Sequence, residues 1–218
     1  VKTIDADIIA AYVEDHTDPV PPLLEELVCE TRRRTGRLHW SIGRAEGKLL
    51  QMLVAVSRAS RVVEVGTFTG YSALLIAEAL PADGCLITCE SEASFAGIAQ
   101  RFFDRSPHGK KIRLEFGPAL ESLARLPDGG TDFVFIDADK PAYARYYEEA
   151  LRMLRLGGLI LVDNVFWRGK IFKSSRTNDN ARAIAAFNDL VRADPRVEKV
   201  MLAVRDGCYL IRKKLATS

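Results

Sequence analysis

The chain lacks most features that would narrow its function on their own. No apolar run is long enough to cross a bilayer. Val1 to Ala11 carry acidic residues and too short an apolar stretch for a secretory leader. The four cysteines form no CxxC pair, which argues against a zinc ribbon or a dithiol redox motif. Cys85 and Cys89 share one expected strand at a spacing that suits buried thiols, and the pattern points to a reducing, cytoplasmic compartment. A net charge of only +2 gives no global attraction to nucleic acid or to an anionic membrane surface. There is no internal repeat and no low-complexity tract. His16, His39 and His108 occur singly, outside any motif. At 218 residues, with ordinary apolar and charged fractions, the chain is long enough for one well-buried core.

What is present is periodicity. Ile4 to Val13 has helical apolar spacing, Thr17 to Pro22 breaks it, and Leu23, Leu24, Leu27 and Val28 resume it until Gly36. A third helix is expected over 44–57. Strands are expected near 61–65, 85–90, 112–117, 131–137, 158–163, 197–204 and 207–213. Helices fill 70–80, 92–105, 118–126, 141–155 and 179–193. Such alternation predicts an α/β fold with a Rossmann-like, doubly wound, seven-stranded and mostly parallel sheet. Arg205-Asp206-Gly207 joins the last two strands directly, which requires an antiparallel last strand. The expectation is one domain over 1–218: a helical N-terminal cap at 1–58 over the substrate face, and an α/β core at 59–218.

Val62 to Val65 runs through Gly66-Thr67-Phe68-Thr69-Gly70 into a helix, and Glu90 ends the next strand. A glycine turn followed by a strand-end acid reads as a nucleoside-cofactor site. The pyrophosphate fingerprint G-x-G-x-x-G is incomplete, since Phe68 stands where its second glycine would be. No G-K-[ST] follows either. S-adenosylmethionine, a nucleoside without phosphates, suits such a turn, with Glu90 accepting hydrogen bonds from the ribose hydroxyls. The alternatives are an NAD-binding oxidoreductase, which has no obvious catalytic Tyr-x-x-x-Lys here, and a plain strand-to-helix turn with no ligand.

A second constellation sits at two later strand ends: Asp137, with Asp139 and Lys140 after it, and the pair Asp163-Asn164. Adjacent strands lie about 4.8 Å apart, so Asp137 and Asp163 can reach one ion together. Two carboxylates and an amide suit magnesium, with calcium or manganese as alternatives. The remaining positions would take water and a bidentate diol. Either aspartate alone also reads as an N-cap of the following helix.

Together these segments resemble the cation-dependent O-methyltransferases, the family of catechol and caffeoyl-CoA O-methyltransferases. The likeness runs from Trp40 to Lys213, through E-V-G-T-F-T-G-Y-S, Gly117-Pro118-Ala119, F-I-D-A-D-K and D-N-V-F-W-R-G. The resemblance implies cofactor contacts at Ile42, Glu64, Gly66, Thr67, Ser72, Glu90, Ala119, Asp137, Asp139 and Tyr146. It implies metal ligands at Asp137, Asp163 and Asn164, with Lys140 as either the base or a cation that orients the phenolate. It also implies a homodimer. Three positions depart from the family pattern: Trp40 replaces a frequent Met, Glu90 replaces the plant enzymes' Asp, and Arg168 replaces an Asn that contacts substrate there. Trp40, Trp167 and Arg168 are the candidate substrate residues.

The expected reaction is methylation of a catechol-like aromatic small molecule. The alternative acceptor is a hydroxylated uridine in tRNA. Phe166 and Trp167 are either an aromatic wall or core residues. The basic run Arg168, Lys170, Lys173 and Arg176 is either a solvated loop or a clamp for an acidic acceptor.

Overall fold

The computed structural model describes residues 6–173 and 178–215. The start of the expected Ile4–Val13 helix and Arg176 of the basic loop lie outside the described residues. Three helices come first, α1 (Ala6–Asp15), α2 (Pro22–Thr35) and α3 (Arg44–Val56). Pro22 opens α2, where its fixed φ and missing N–H cost nothing. Gly36 closes it in the left-handed conformation at φ 64°, its N–H donating to Arg32 O.

Strands and helices then alternate: β1 (Arg61–Val65), α4 (Tyr71–Ala79), β2 (Cys85–Glu90), α5 (Ala93–Arg105), β3 (Ile112–Phe116), α6 (Ala119–Ala124), β4 (Thr131–Ile136), α7 (Tyr143–Met153) and β5 (Leu154–Val162). The chain finishes with α8 (Asp179–Ala193), β6 (Val197–Leu202) and β7 (Cys208–Lys213). The sheet order is β3-β2-β1-β4-β5-β7-β6. β1 pairs in parallel with both β2 and β4, and β7 runs antiparallel between β5 and β6. The order reverses between β1 and β4, and that reversal opens a crevice at the carboxyl ends of the strands.

The period-2 pattern of the strands builds two cores, one on each face. Val62, Phe133, Phe135 and Leu161 point to the face covered by α2, α3, α4 and α5. Val63, Val65, Val134, Ile136, Ile160 and Val162 point to the other, under α7 and α8. Each fully buried aliphatic side chain contributes roughly 1.5–3 kcal/mol.

Two expectations need correction. β5 starts at Leu154 rather than 158, because Leu154 pairs with Thr131 before the register shifts and Phe133 meets Leu159. Gly157, at φ 77°, lets the chain make that irregularity. The expected 141–155 helix is correspondingly shorter, with a 3-10 turn at 140–142 preceding α7. The cysteines also differ: Cys89 is buried but Cys85, the first residue of β2, is exposed. Alternation puts both on one face, yet the covering layer reaches only the later position.

Candidate active site

The crevice at the sheet's reversal is a cavity of about 1210 Å³. Its floor is main chain. Gly66, at φ 102°, lies so close to the end of β4 that a Cβ there would stand 2.0 Å from Asp137 O. Gly66 and Thr67 donate to Cys89 O, and Asp137 N donates to Val65 O at 2.9 Å, so the ends of β1, β2 and β4 are tied together. Glycine at this position therefore serves close backbone approach as well as positive φ.

Glu64 lies beneath the turn with no exposed surface. Its Oε2 accepts from Thr88 Oγ1 at 2.5 Å, and Thr67 Oγ1 lies 2.5 Å from the same hydroxyl. Its Oε1 has no hydrogen-bond partner. Burial pushes the Glu64 carboxyl up to about 7, with the hydrogen bond from the Thr88 hydroxyl pulling the other way. Glu90 accepts from the N–H groups of Phe68, Ser91 and Glu92 at 2.7–2.9 Å. A carboxylate has about four acceptor sites, which leaves one for a ligand. Gly66, Thr67, Ser72, Glu90, Ala119, Asp139 and Tyr146 all line the cavity, and Tyr146 donates to Asp139 at 2.5 Å. Ile42 also borders it, with only 7% of its surface exposed.

The other end of the cavity is charged. Asp137 follows β4, Asp163 and Asn164 follow β5, and Lys140 opens the 3-10 turn before α7. Lys140 is only 7% exposed. Its ammonium donates to Asp137 Oδ1 at 2.9 Å, to Asn164 Oδ1 at 2.6 Å and to the Tyr143 hydroxyl at 2.5 Å. The Tyr143 hydroxyl donates in turn to the main-chain Asp163 O at 3.1 Å. Asn164 sits at φ 61°, a left-handed conformation that Asn tolerates better than most residues. Burial holds the Asp163 carboxyl well above the usual range, and the negative Asp137 and Glu46 add to the effect.

Glu46 was not legible as a site residue. An acid in the first turn of α3 reads as an ordinary dipole partner, yet it has no exposed surface. It accepts from Arg205 Nη1 at 2.9 Å and from Cys208 Sγ at 3.2 Å, and ligand atoms of Glu46, Asp163 and Cys208 lie within 4.8 Å of one another. Tyr143 was also missed, although its spacing of three residues from Lys140 is a usable signal. Trp167 and Arg168 line the cavity, while Phe166 packs against Gly207 in the turn after β6. The two aromatics therefore divide, one at the site and one in the structure. Lys170 and Lys173 are exposed, and neither lines the cavity. Trp40 borders it, half exposed.

Comparison with known proteins agrees with this architecture. An O-methyltransferase family profile matches residues 14–214. A catechol O-methyltransferase of Niastella koreensis is 36% identical, covering 74% of this chain and 75% of that protein. A caffeoyl-CoA O-methyltransferase of Petroselinum crispum is 31% identical, covering 96% and 92%. The structure of a Podospora anserina methyltransferase bound to S-adenosylhomocysteine superposes with a TM-score of 0.88 at 28% identity, covering 99% of this chain and all of the other. With a family match over nearly its whole length and a site at the sheet's reversal, the chain belongs to the O-methyltransferase family.

Proposed function

We propose that this enzyme moves the methyl group of S-adenosylmethionine to one hydroxyl of a catechol-like acceptor, with a divalent cation at Asp137, Asp163 and Asn164. The observation that carries the proposal is the convergence of Asp137 Oδ1 and Asn164 Oδ1 on one positive charge, 2.9 and 2.6 Å away, beside the buried Asp163. All three donors are oxygens, the set that suits magnesium, calcium or manganese. A cation held by these residues would supply positive charge that favours phenolate over phenol, whose pKa is about 10.

The cofactor brings a methyl group already electrophilic on its sulfonium, so the chain's own work is binding and alignment. The unpartnered Oε1 of Glu64 suits the ammonium of the methionine end. The open acceptor site on Glu90 suits a ribose hydroxyl. Lys140 donates to three oxygens at once, which supports reading it as a charged group that orients the acceptor by its field and not as a base. Trp167, with its ring centroid 5.7 Å from Lys140 Nζ, forms a flat wall for an aromatic acceptor at that end. Arg168 reaches the rim beside it. Holding oxygen, methyl and sulfur in line supplies much of the remaining acceleration.

The working unit we infer is a homodimer, supported by the exposed Ile8, Ile9 and Tyr12 of α1 and Met52 and Val56 of α3. Four cysteines without a disulfide support a cytoplasmic setting. No helix among the described residues is long and apolar enough to cross a membrane.

The deciding experiment incubates the protein and S-adenosylmethionine with catechols, caffeoyl esters, flavonoids and tRNA, with magnesium or with a chelator. Methyl gain is read by mass spectrometry. Equal methylation in chelator, or full activity in Asp137→Ala, sinks the metal-assisted reading. Methylation of tRNA with no diol turned over moves the acceptor to RNA.

A further inference from the structure

The two ends of the cavity are built from different materials. Around Lys140 the contacts are charged, whereas three rings meet beside Glu90. The Trp40 and Phe68 centroids are 5.8 Å apart, Trp40 and Phe95 6.1 Å, and Phe68 and Phe95 4.7 Å, the last two pairs edge-on. Three separate pieces of chain supply them: the 3-10 turn at 38–40, the glycine turn after β1, and the first turn of α5. All three rings line the cavity.

One bond ties this cluster to Glu90, from Phe68 N to Glu90 Oε2 at 2.7 Å. Phe68 makes it from a left-handed φ of 49°, a conformation a bulky residue adopts only when its surroundings demand it. Trp40 packs on both phenyl rings and is still 47% exposed, and the Arg37 guanidinium stacks on it 4.5 Å from the ring centroid. A large ring pinned on several sides, with half its surface free at a cavity rim, is placed to cover something.

We propose that Trp40 closes the nucleoside end of the cavity: Phe68 and Phe95 hold its ring over the exit from Glu90, and it sets how long the cofactor and its demethylated product stay bound. This rests on the reading of Glu90 as the ribose acceptor. It assigns Trp40 to the cofactor and leaves the acceptor wall to Trp167, whose ring lies by Lys140. The chain's two tryptophans then report on opposite ends of one cavity. S-adenosylhomocysteine carries the same nucleoside as the methyl donor, so the closure acts on product release as well as on donor binding.

The test is S-adenosylhomocysteine dissociation, followed by stopped-flow displacement, in wild type, Trp40→Ala, Trp40→Phe and Trp167→Phe. Circular dichroism checks that each variant is folded. Trp40→Ala is expected to release the ligand about tenfold faster with little change in association rate, the loss of one well-packed ring contact. Trp40→Phe keeps most of the residence time. Trp167→Phe releases at the wild-type rate, and its single remaining tryptophan changes emission when S-adenosylhomocysteine is added. Wild-type dissociation from Trp40→Ala overturns the assignment. So does a raised acceptor KM in that variant with dissociation unchanged, which would put the ring in the acceptor site. A wild-type protein that binds no S-adenosylhomocysteine overturns the cofactor reading beneath it, an outcome distinct from both.

Discussion

The glycine turn and the Lys140 cluster border one cavity but are held by different forces. At the turn, main chain meets main chain: Gly66 lies against Asp137 O, and backbone N–H groups bind Cys89 O and Glu90. In the cluster, position comes from charge: one ammonium gathers a carboxylate, an amide and a phenol. The first is a steric fit with no slack, and it fails by collision. The second is a balance of charges, and it fails when one sign is removed. The donor needs a rigid bed, whereas an acceptor whose charge changes during reaction needs compensating charge around it.

The largest expected effect is at the turn. Gly66→Ala would put a Cβ 2.0 Å from Asp137 O, at φ 102°. A loss of about 3 kcal/mol or more in urea unfolding is expected, together with lost S-adenosylhomocysteine binding. A variant as stable as wild type would show that the turn tolerates a side chain at this position. Lys140→Ala tests the charged side. Activity should fall by about 10²–10³ while the fold is kept, the range for losing a group that acts on a reacting proton or charge. Calorimetry should show magnesium binding more tightly, because the ammonium no longer shares Asp137 and Asn164. Weaker magnesium binding would mean that Lys140 builds the cation site instead of competing for it.

Glu64 carries a pH signature between these extremes. Its folded pKa is raised from 4.5 to about 7, so the folded state holds a proton that the unfolded chain has released. Stability should therefore fall as pH rises from about 4.5 to about 7, then level off, by up to ~3 kcal/mol for this one group. Urea midpoints of the ligand-free protein at pH 5 and pH 8 measure it, and Glu64→Gln should flatten the difference. An unchanged slope in Glu64→Gln would assign the effect elsewhere. The smallest effect separates two thiols. Cys85→Ser at an exposed strand start should stay within about 0.5 kcal/mol of wild type, while Cys89→Ser places a hydroxyl in the buried layer at about 1–3 kcal/mol. Equal losses would show that β2 is covered along its whole length.

Much of the site was legible because its residues sit at strand ends and in a turn, where local pattern and position go together. Asp137 and the Asp163-Asn164 pair each end an apolar run, and Gly66 marks a turn whose backbone lines the cavity. Glu46 was hidden because burial of a helical acid depends on what packs over it, here Arg205 and Cys208 from the far end of the chain. Phe68 and Phe95 were hidden for a related reason: each looks like a core residue until Trp40 arrives from the N-terminal helices. The bulge at Gly157 escaped because two glycines in a row read as a loop, while strand pairing with β4 carries the chain through them.

By itself the sequence determined the order of strands and helices, the antiparallel end of the sheet, the glycine turn and the strand-end acids. These follow from side-chain periodicity and backbone permissions within a few residues. Tertiary structure decided the rest: which carboxylates meet, that Lys140 stands between Asp137 and Asn164, and that the rings of Trp40, Phe68 and Phe95 meet at the cavity. Those contacts join residues far apart along the chain, and desolvation and packing choose among them only once the sheet has brought its ends together.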